Sequence, residues 1–492
     1  MKYQAELPSL FLSSQMSAQK IYYLLRKGKI RKITPTLCTS NLKDDVDSIV
    51  RQNLWIIVGL LYPQAIISER TAVEMKITGD GSIFVVSDKK RPTTVGNITI
   101  RPRKGAPPQP TDTPFMENLY MASPARIVLE NTKISRSYNG AVARGLSRRE
   151  LEEYLDRFIA QKGEAAVNKL RDNMRTLSRN INMQTEFEVV NKLISALLQT
   201  HEDDLQSAAG IARSRGLPYD SRREELFVKL FLELEGTAPV IRQGTSSDTL
   251  AFFEAYFSNF IEGTEFEVSE AQNIVFKNLT PVDRPEDAHD VKGTYAIVSD
   301  TAEMSKTPEN FDELLELLKR RHNILLSARP DKEPGIFKTK ANRAGITSFV
   351  SPELVPGTLK QGFGFYTRLS SPLAKAIFMM FMVAEVHPFS DGNGRVGRIM
   401  MNAELVSAGE QRIIIPTVYR NNYLQALRAL SHNGIPNPLV RMLDFAQKYT
   451  KAVRWDNFDQ TVETLTKTYA FLDPNVADDE GSRLILPSRV ID

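Results

Sequence analysis

Residues Ser371–Arg398, SPLAKAIFMMFMVAEVHPFSDGNGRVGR, decide how the rest of the chain is read. Ser371 offers an N-cap side chain, and Pro372 sits at the first helical position, where a missing N–H costs nothing. The run Leu373–Val386 is apolar and rich in Ala and Met, which predicts a helix buried on most sides. After His387 the glycines at 392 and 394 permit a tight turn whose backbone N–H groups converge on an anion. A second helix, predicted from about Arg395 to Val406, aims its N-terminal dipole at the same place. Arg395 and Arg398 lie three apart, hence on one helix face, within reach of a polyphosphate. Asp391 alone is too few ligands for a protein-enclosed metal, but one carboxylate with phosphate oxygens and waters suits Mg2+. Asn393 adds an amide for a phosphate oxygen, and Phe389 anchors the loop in the core. His387 stands just before this cradle, where an imidazole of near-neutral pKa can accept a proton from an incoming hydroxyl.

Two other motifs overlap the stretch. Gly392-x-Gly394-x-x-Gly397 matches a dinucleotide fingerprint, but a helical pattern precedes it where that motif needs a strand. The DGNG segment is not a calcium loop, because Arg395 and Val396 stand where a ligand and a glycine are required. Eight of the twelve positions from His387 to Arg398 match the signature H-x-F-x-D/E-G-N-G-R-x-x-R, and none of its defined positions departs. Here the chain resembles the Fic family of protein AMP-transferases, a resemblance that extends over residues 249–449.

That resemblance implies a helical domain with a short β-hairpin flap, and Mg-ATP as the substrate. It makes His387 the general base for a Ser, Thr or Tyr hydroxyl of a target protein. Asp391 binds Mg2+ across the α- and β-phosphates; Gly392, Asn393, Gly394 and Arg395 cradle phosphates; Arg398 contacts the γ-phosphate. The target attacks the α-phosphate and pyrophosphate leaves, with self-modification as one outcome. Transfer of UMP, phosphocholine or phosphate is disfavoured by the intact G-N-G-R-x-x-R.

Upstream, Ser258-Asn-Phe-Ile-Glu262-Gly263 matches the S/T-x-x-x-E-G/N inhibitory motif of many Fic proteins and ends an aromatic helix beginning near Phe252. Gly263 reads as the residue just past that helix, which leaves Glu262 opposing the dipole and in want of a cation. The resemblance makes that cation Arg398 and the pair a brake on γ-phosphate binding; in some relatives the same glutamate supports removal of AMP. Residues 335–350, rich in Gly and β-branched side chains, predict a hairpin after a helix from Phe311 to Leu326. Pro334–Phe337 and Gly345–Val350 occupy the place of the flap, where a target adds as an extra strand. Tyr423, in a helix resembling the one beside the adenine site, lines that pocket or belongs to the core.

The remaining chain sets the context. At 492 residues it exceeds one core, and a 42% hydrophobic, 25% charged composition is that of a soluble globular protein. The net charge of +4 is too balanced to argue for nucleic acid by itself. A single cysteine, Cys38, and no visible secretory signal predict a cytoplasmic protein without internal disulfides. Leu54–Ile67 is too short for a membrane span and predicts a buried helix. Proline-rich Lys104–Pro114 and polar Gly236–Asp248 read as seams. They give an α+β domain at 1–104, a helical domain at 115–236, the Fic domain at 249–450 and a C-terminal extension at 451–492. Ser82–Val86 and Thr94–Arg101 read as strands, and Ser147 with Glu150 as a capping box. Residues 19–71 loosely resemble the winged-helix region of AbiEi-type antitoxins. Arg26, Lys27, Lys29, Arg31 and Lys32 lie in a segment without acids, suited to DNA phosphates or to solvent. A second function class follows: a DNA-binding regulator whose Fic domain senses nucleotide or mainly removes AMP.

Overall fold

The computed structural model describes residues 7–116, 118–135, 141–238 and 240–490, so Pro239 of the second seam lies outside them. The architecture is mainly helical, and the chain divides into two compact units, Met1–Gly216 and Leu217–Asp492. No helix among the described residues is long and apolar enough to cross a membrane.

The first unit opens with a three-stranded antiparallel sheet, Leu37–Thr39 between Leu10–Leu12 and Arg31–Lys32. Its helix Ala18–Arg26 is capped by the Ser17 side chain. A six-stranded mixed sheet follows, in the order Thr93–Val95, Ile98–Lys104, Ser82–Ser87, Ile66–Ile67, Leu119–Met121, Thr113–Phe115. Four helices after it share one core, and Ser147 and Glu150 form the expected capping box on Arg148–Lys162.

Three expectations need correction in this unit. Leu54–Ile67 is not one helix: the helix stops at Leu61, Gln64 takes a φ of 63°, and Ile66–Ile67 is a strand. Pro63 has no N–H to continue the helix. Thr94–Arg101 is two strands folded back on each other, because Gly96 adopts a φ of 58° and turns the chain. The first seam is not a boundary, since strands on both sides of it join one sheet. Fully buried Arg126 draws the proline-rich stretch in, donating to Ala106 O (2.7 Å), Pro107 O (3.1 Å) and Asp112 Oδ2 (2.7 Å).

The second unit is built round two antiparallel neighbours, Pro372–Val386 and Asn393–Ser407. Twelve of fifteen residues are buried in each, so this pair is the middle of the domain rather than an amphipathic surface. Ser371 caps the first of them as expected. The helix Ser221–Glu235, expected with the preceding residues, belongs here: Phe227 packs on Phe378 and Phe381, at centroid distances of 5.8 and 6.3 Å. Residues 451–490 are no appendage either. Trp455, Leu465, Ala470 and Leu484 share a core with Leu250, Phe252, Phe253 and Phe257 of the helix Asp248–Ile261. Phe458 and Phe471 stack on Phe253 and Phe257, at 5.4 and 5.5 Å. Each buried phenylalanine contributes roughly 2–3 kcal/mol, and together they hold the helix that carries Ser258 and Glu262.

Candidate active site

The helix Pro372–Val386 ends at His387, which adopts φ 54° and ψ 59°. Left-handed backbone costs a residue with a β-carbon roughly 1–2 kcal/mol. The His387 N–H bond to Val383 O (3.0 Å) closes the last turn in this geometry. The imidazole thereby leaves the helix for a cleft, with Nδ1 3.1 Å from Ala384 O. A carbonyl only accepts, so Nδ1 carries the proton and Nε2 keeps a free lone pair. The Phe349 ring covers the imidazole face at 3.6 Å, tilted by only 4°. Burial pulls the His387 pKa down to about 4, and the Lys338 cation adds to this, so the ring is a neutral base at pH 7.

The turn after it is braced from inside. Phe389 stacks on His322 at 3.8 Å. Gly335 N–H donates to His322 Nδ1 (2.8 Å), so His322 Nε2–H donates to Asp391 O (3.1 Å). Asn393 departs from its expected role: its Oδ1 accepts from Phe389 N–H (2.8 Å) and its Nδ2 donates to Phe389 O (2.9 Å). The helix starts at Asn393, two residues earlier than the sequence suggests, and the amide folds back over the turn. Its side chain therefore shapes the loop rather than offering itself to a phosphate.

Gly392 (φ 71°, ψ 3°) is the N-cap, and the first intrahelical bond is Val396 N–H to Gly392 O (3.0 Å). The N–H groups of Asn393, Gly394 and Arg395 precede it without intrahelical partners, the arrangement that suits an anion. A β-carbon on Gly394 would overlap Glu262 Oε1, so that carboxylate lies against the helix N-terminus. Arg398 Nη2 donates to Glu262 Oε1 (2.7 Å) and Ser258 O (2.7 Å), and Arg398 Nε donates to Ser258 Oγ (3.0 Å). Glu262 caps the helix Asp248–Ile261, and Gly263 beyond it has φ 93°. Of the predicted trio, Ser258 and Glu262 thus meet Arg398, and Gly263 ends their helix.

Arg395 does not join Arg398. Its Nη1 donates to Asp290 Oδ2 (2.5 Å) and Asn259 Oδ1 (3.3 Å) in a buried network, while its Nη2 stands 3.9 Å from Asp391 Oδ1 in the turn. Asp391 is 42% exposed and accepts from Gly392 N–H (2.6 Å). No group of three acidic, histidine or cysteine side chains among the described residues could hold a metal by itself. One exposed carboxylate at a phosphate cradle does fit Mg2+ carried on the polyphosphate. Tyr423 is both wall and core: it is 1% exposed, donates to Met380 Sδ (3.3 Å) and lies 5.9 Å from the Arg398 guanidinium. The cleft, of about 620 Å³, is lined by His387, Gly394, Arg398, Glu262 and Tyr423, and by the tip of a hairpin, Arg343–Ala344 with Thr347–Ser348. Ile346 at its tip is 91% exposed. Pro334–Phe337 is not part of the hairpin; Phe337 packs on Phe389 at 5.3 Å.

His322, Asp290, Lys338 and Asn342 shape this site without a signal in the sequence. His322 falls on the apolar stripe of its helix, where a histidine reads as core, and the others lie in no motif.

A model of the Fic/DOC family matches residues 310–405. A protein adenylyltransferase Fic of Nematostella vectensis is 26% identical over 256 residues, covering 49% of this chain and 58% of that protein. A Fido domain-containing protein of Dictyostelium discoideum is 35% identical over 99 residues, covering 19% of this chain and 69% of that protein. Among solved structures, Fic-1 of C. elegans aligns over 68% of this chain and 96% of its own, at 18% identity and a TM-score of 0.36. The chain spans about half the length of the curated adenylyltransferases it matches. With the family model on the motif and its supporting helix, and the Dictyostelium relative covered over most of its length, the chain belongs to the Fic/DOC family.

Proposed function

We propose that the second unit transfers AMP from ATP to a hydroxyl group of a protein, with His387 as the base. The observation that carries this is an imidazole with Nε2 free, in the wall of a cleft that also holds a helix N-terminus built on two glycines. His387 Nε2 takes the hydroxyl proton as the new oxygen–phosphorus bond forms at the α-phosphate. The bond to the β-phosphate breaks and pyrophosphate leaves. The N–H groups of Gly394 and its neighbours, with Arg398, take up the polyphosphate charge. Asp391 would hold Mg2+, which when bound neutralises charge on the phosphates. The hairpin edge offers a target main-chain hydrogen bonds.

The same proposal makes Glu262 a restraint: it holds Arg398 and stands over Gly394, which supports a reading in which ATP must displace a carboxylate before its phosphates seat. Removal of AMP with Glu262 as a participant belongs to the same proposal. The test is intact mass after incubation with Mg-ATP, alone and with lysate proteins, for wild type, Glu262→Gly, and Glu262→Gly with His387→Ala. AMP should appear with Glu262→Gly and vanish with His387→Ala; AMP that survives His387→Ala removes the base from the mechanism.

A second reading concerns the first unit. Its helix Ala18–Arg26 exposes Lys20, Tyr22, Tyr23 and Arg26, and Lys27, Lys29 and Lys32 continue the exposed basic surface. That surface suits DNA phosphates. Fluorescence anisotropy on a duplex at 50 and 200 mM salt tests it, and salt-independent or absent binding ends it.

A further inference from the structure

The left-handed residue at the end of the helix Pro372–Val386 raises a question the motif does not answer. The last carbonyls of a helix lack partners, and a lone left-handed residue needs support on both sides to keep one geometry. Here the support comes from the segment that leads into the hairpin. Lys338 N–H donates to Pro388 O (2.9 Å), and Lys338 Nζ approaches Val386 O at 3.5 Å. Lys338 Nζ also donates to Asn342 Oδ1 (2.7 Å), and Asn342 Nδ2 donates to Phe389 O (2.9 Å). Three carbonyls that flank His387 are therefore held by two side chains and one N–H of the same segment. The circuit closes at the imidazole: Phe349 N–H donates to Asn342 O (3.2 Å), and the Phe349 ring stacks on His387.

Lys338 is an unusual choice for a merely structural role. It is 4% exposed, and burial pulls its ammonium down to about 8. A lysine is seldom buried without a carboxylate. Among the described residues no carboxylate lies within ion-pair distance of it; its charge rests on two oxygen dipoles and the Phe349 face, 6.0 Å from the ring centroid. A cation at a helix C-terminus is favoured by the dipole. That is where Val386 O lies.

We propose that Lys338, with Asn342, is a positioning residue for the base: it locks the backbone around His387 and holds Phe349 on the imidazole, so that Nε2 keeps one direction in the cleft. This rests on the AMP-transfer reading of the same site. The hairpin segment then does more than receive a target; it completes the base. The other charges facing the imidazole are Glu262 from the upstream helix, Asp391 in the turn and Arg398 on the motif helix. Arg420 and Arg428, with the imidazole of His432, line the rest of the cleft, and Glu385 lies on His387's own helix.

The experiment compares Lys338→Ala, Lys338→Arg and Asn342→Ala in a Glu262→Gly parent, following AMP incorporation from pH 4.5 to 8.5 with thermal unfolding alongside. Loss of alignment at a base costs on the order of tenfold to a hundredfold in rate. Lys338→Ala should lower kcat by about tenfold or more with the KM for ATP within about twofold. Its acid limb should move to higher pH, because a cation beside the imidazole is gone. Lys338→Arg should recover most of kcat and return the limb. An unchanged kcat and limb in Lys338→Ala, or a loss confined to KM, overturns the proposal. If Lys338→Ala does not fold, Asn342→Ala decides: kcat must fall with KM held, and an unchanged kcat overturns it. A parent that transfers no AMP at any pH refutes the transferase reading itself, and the proposal falls with it.

Discussion

Replacing Glu262 by glycine should release the site, and the structure sets how far. The carboxylate accepts one hydrogen bond from Arg398 Nη2 at 2.7 Å and stands over Gly394. A hydrogen bond to a charged partner contributes about 1.5–3 kcal/mol. Glu262 is 35% exposed, so solvent screening favours the lower end, about 1.5 kcal/mol. Arg398 is not orphaned by the change, because Ser258 O and Oγ still hold its Nη2 and Nε. Residue 262 has φ −85° and ψ 1°, so glycine introduces no new backbone requirement. At 1.4 kcal/mol per tenfold, ATP should seat productively about tenfold more often. The initial rate of AMP incorporation at subsaturating ATP should rise by the same factor. Labelled ATP with quenched time points measures it, and isothermal titration gives the affinity separately. A Glu262→Gly protein that neither binds ATP more tightly nor incorporates AMP faster than wild type refutes the reasoning, whatever its absolute activity.

Other outcomes follow from the same geometry. The acid limb of transfer should fall near pH 4 rather than near the ordinary histidine value of 6.5, because burial holds His387 neutral; a rate profile that halves at pH 6.5 contradicts the buried base. Phe253→Ala removes a ring packed on Phe458 and Phe257 and should cost about 3–5 kcal/mol in urea unfolding. It should also raise basal AMP transfer, since its helix carries Glu262; destabilisation below 1 kcal/mol would contradict the packing. Buried Glu404 has its carboxyl raised from 4.5 to about 7 by burial, against the hydrogen bond from Tyr366. The unfolded chain ionises first, so this group's contribution to stability is intact below pH 4.5 and is lost as pH rises to about 7. At 1.36 kcal/mol per pH unit that is about 3 kcal/mol. Glu404→Gln should gain stability over wild type across that window, and parallel urea midpoints from pH 4.5 to 8 would refute the assignment.

What was legible in the sequence is what lies close along the chain. The cradle could be read because His387, Asp391, the two glycines and Arg398 fall within twelve consecutive residues, and glycine in a tight turn before a helix has few alternative meanings. Glu262 and Arg398 are 136 residues apart, and in the sequence only the resemblance to the inhibitory motif pairs them. Where the structure departs from the local pattern, a distant partner is the reason. Spacing places Arg395 and Arg398 on one helix face, yet Asp290, 105 residues upstream, takes Nη1 of the Arg395 guanidinium and leaves Nη2 toward Asp391. Asn393 reads as a free amide because nothing local reveals a helix beginning at that residue. Prolines at 107, 108 and 110 looked like a boundary because the buried Arg126 that folds them back is an unmarked helical arginine. Residue type and spacing thus identify what chemistry a site offers, while distant partners decide which of those groups stay available for it. Arg398 is the case that matters for the proposed regulation: it is held by Ser258 and Glu262 of one helix, and Phe458 and Phe471 from beyond residue 451 hold that helix in turn. On the proposed reading, restraint of the site depends on a packing that begins where the family motif has already ended, and loosening residues 451–490 should free Arg398 from both Ser258 and Glu262.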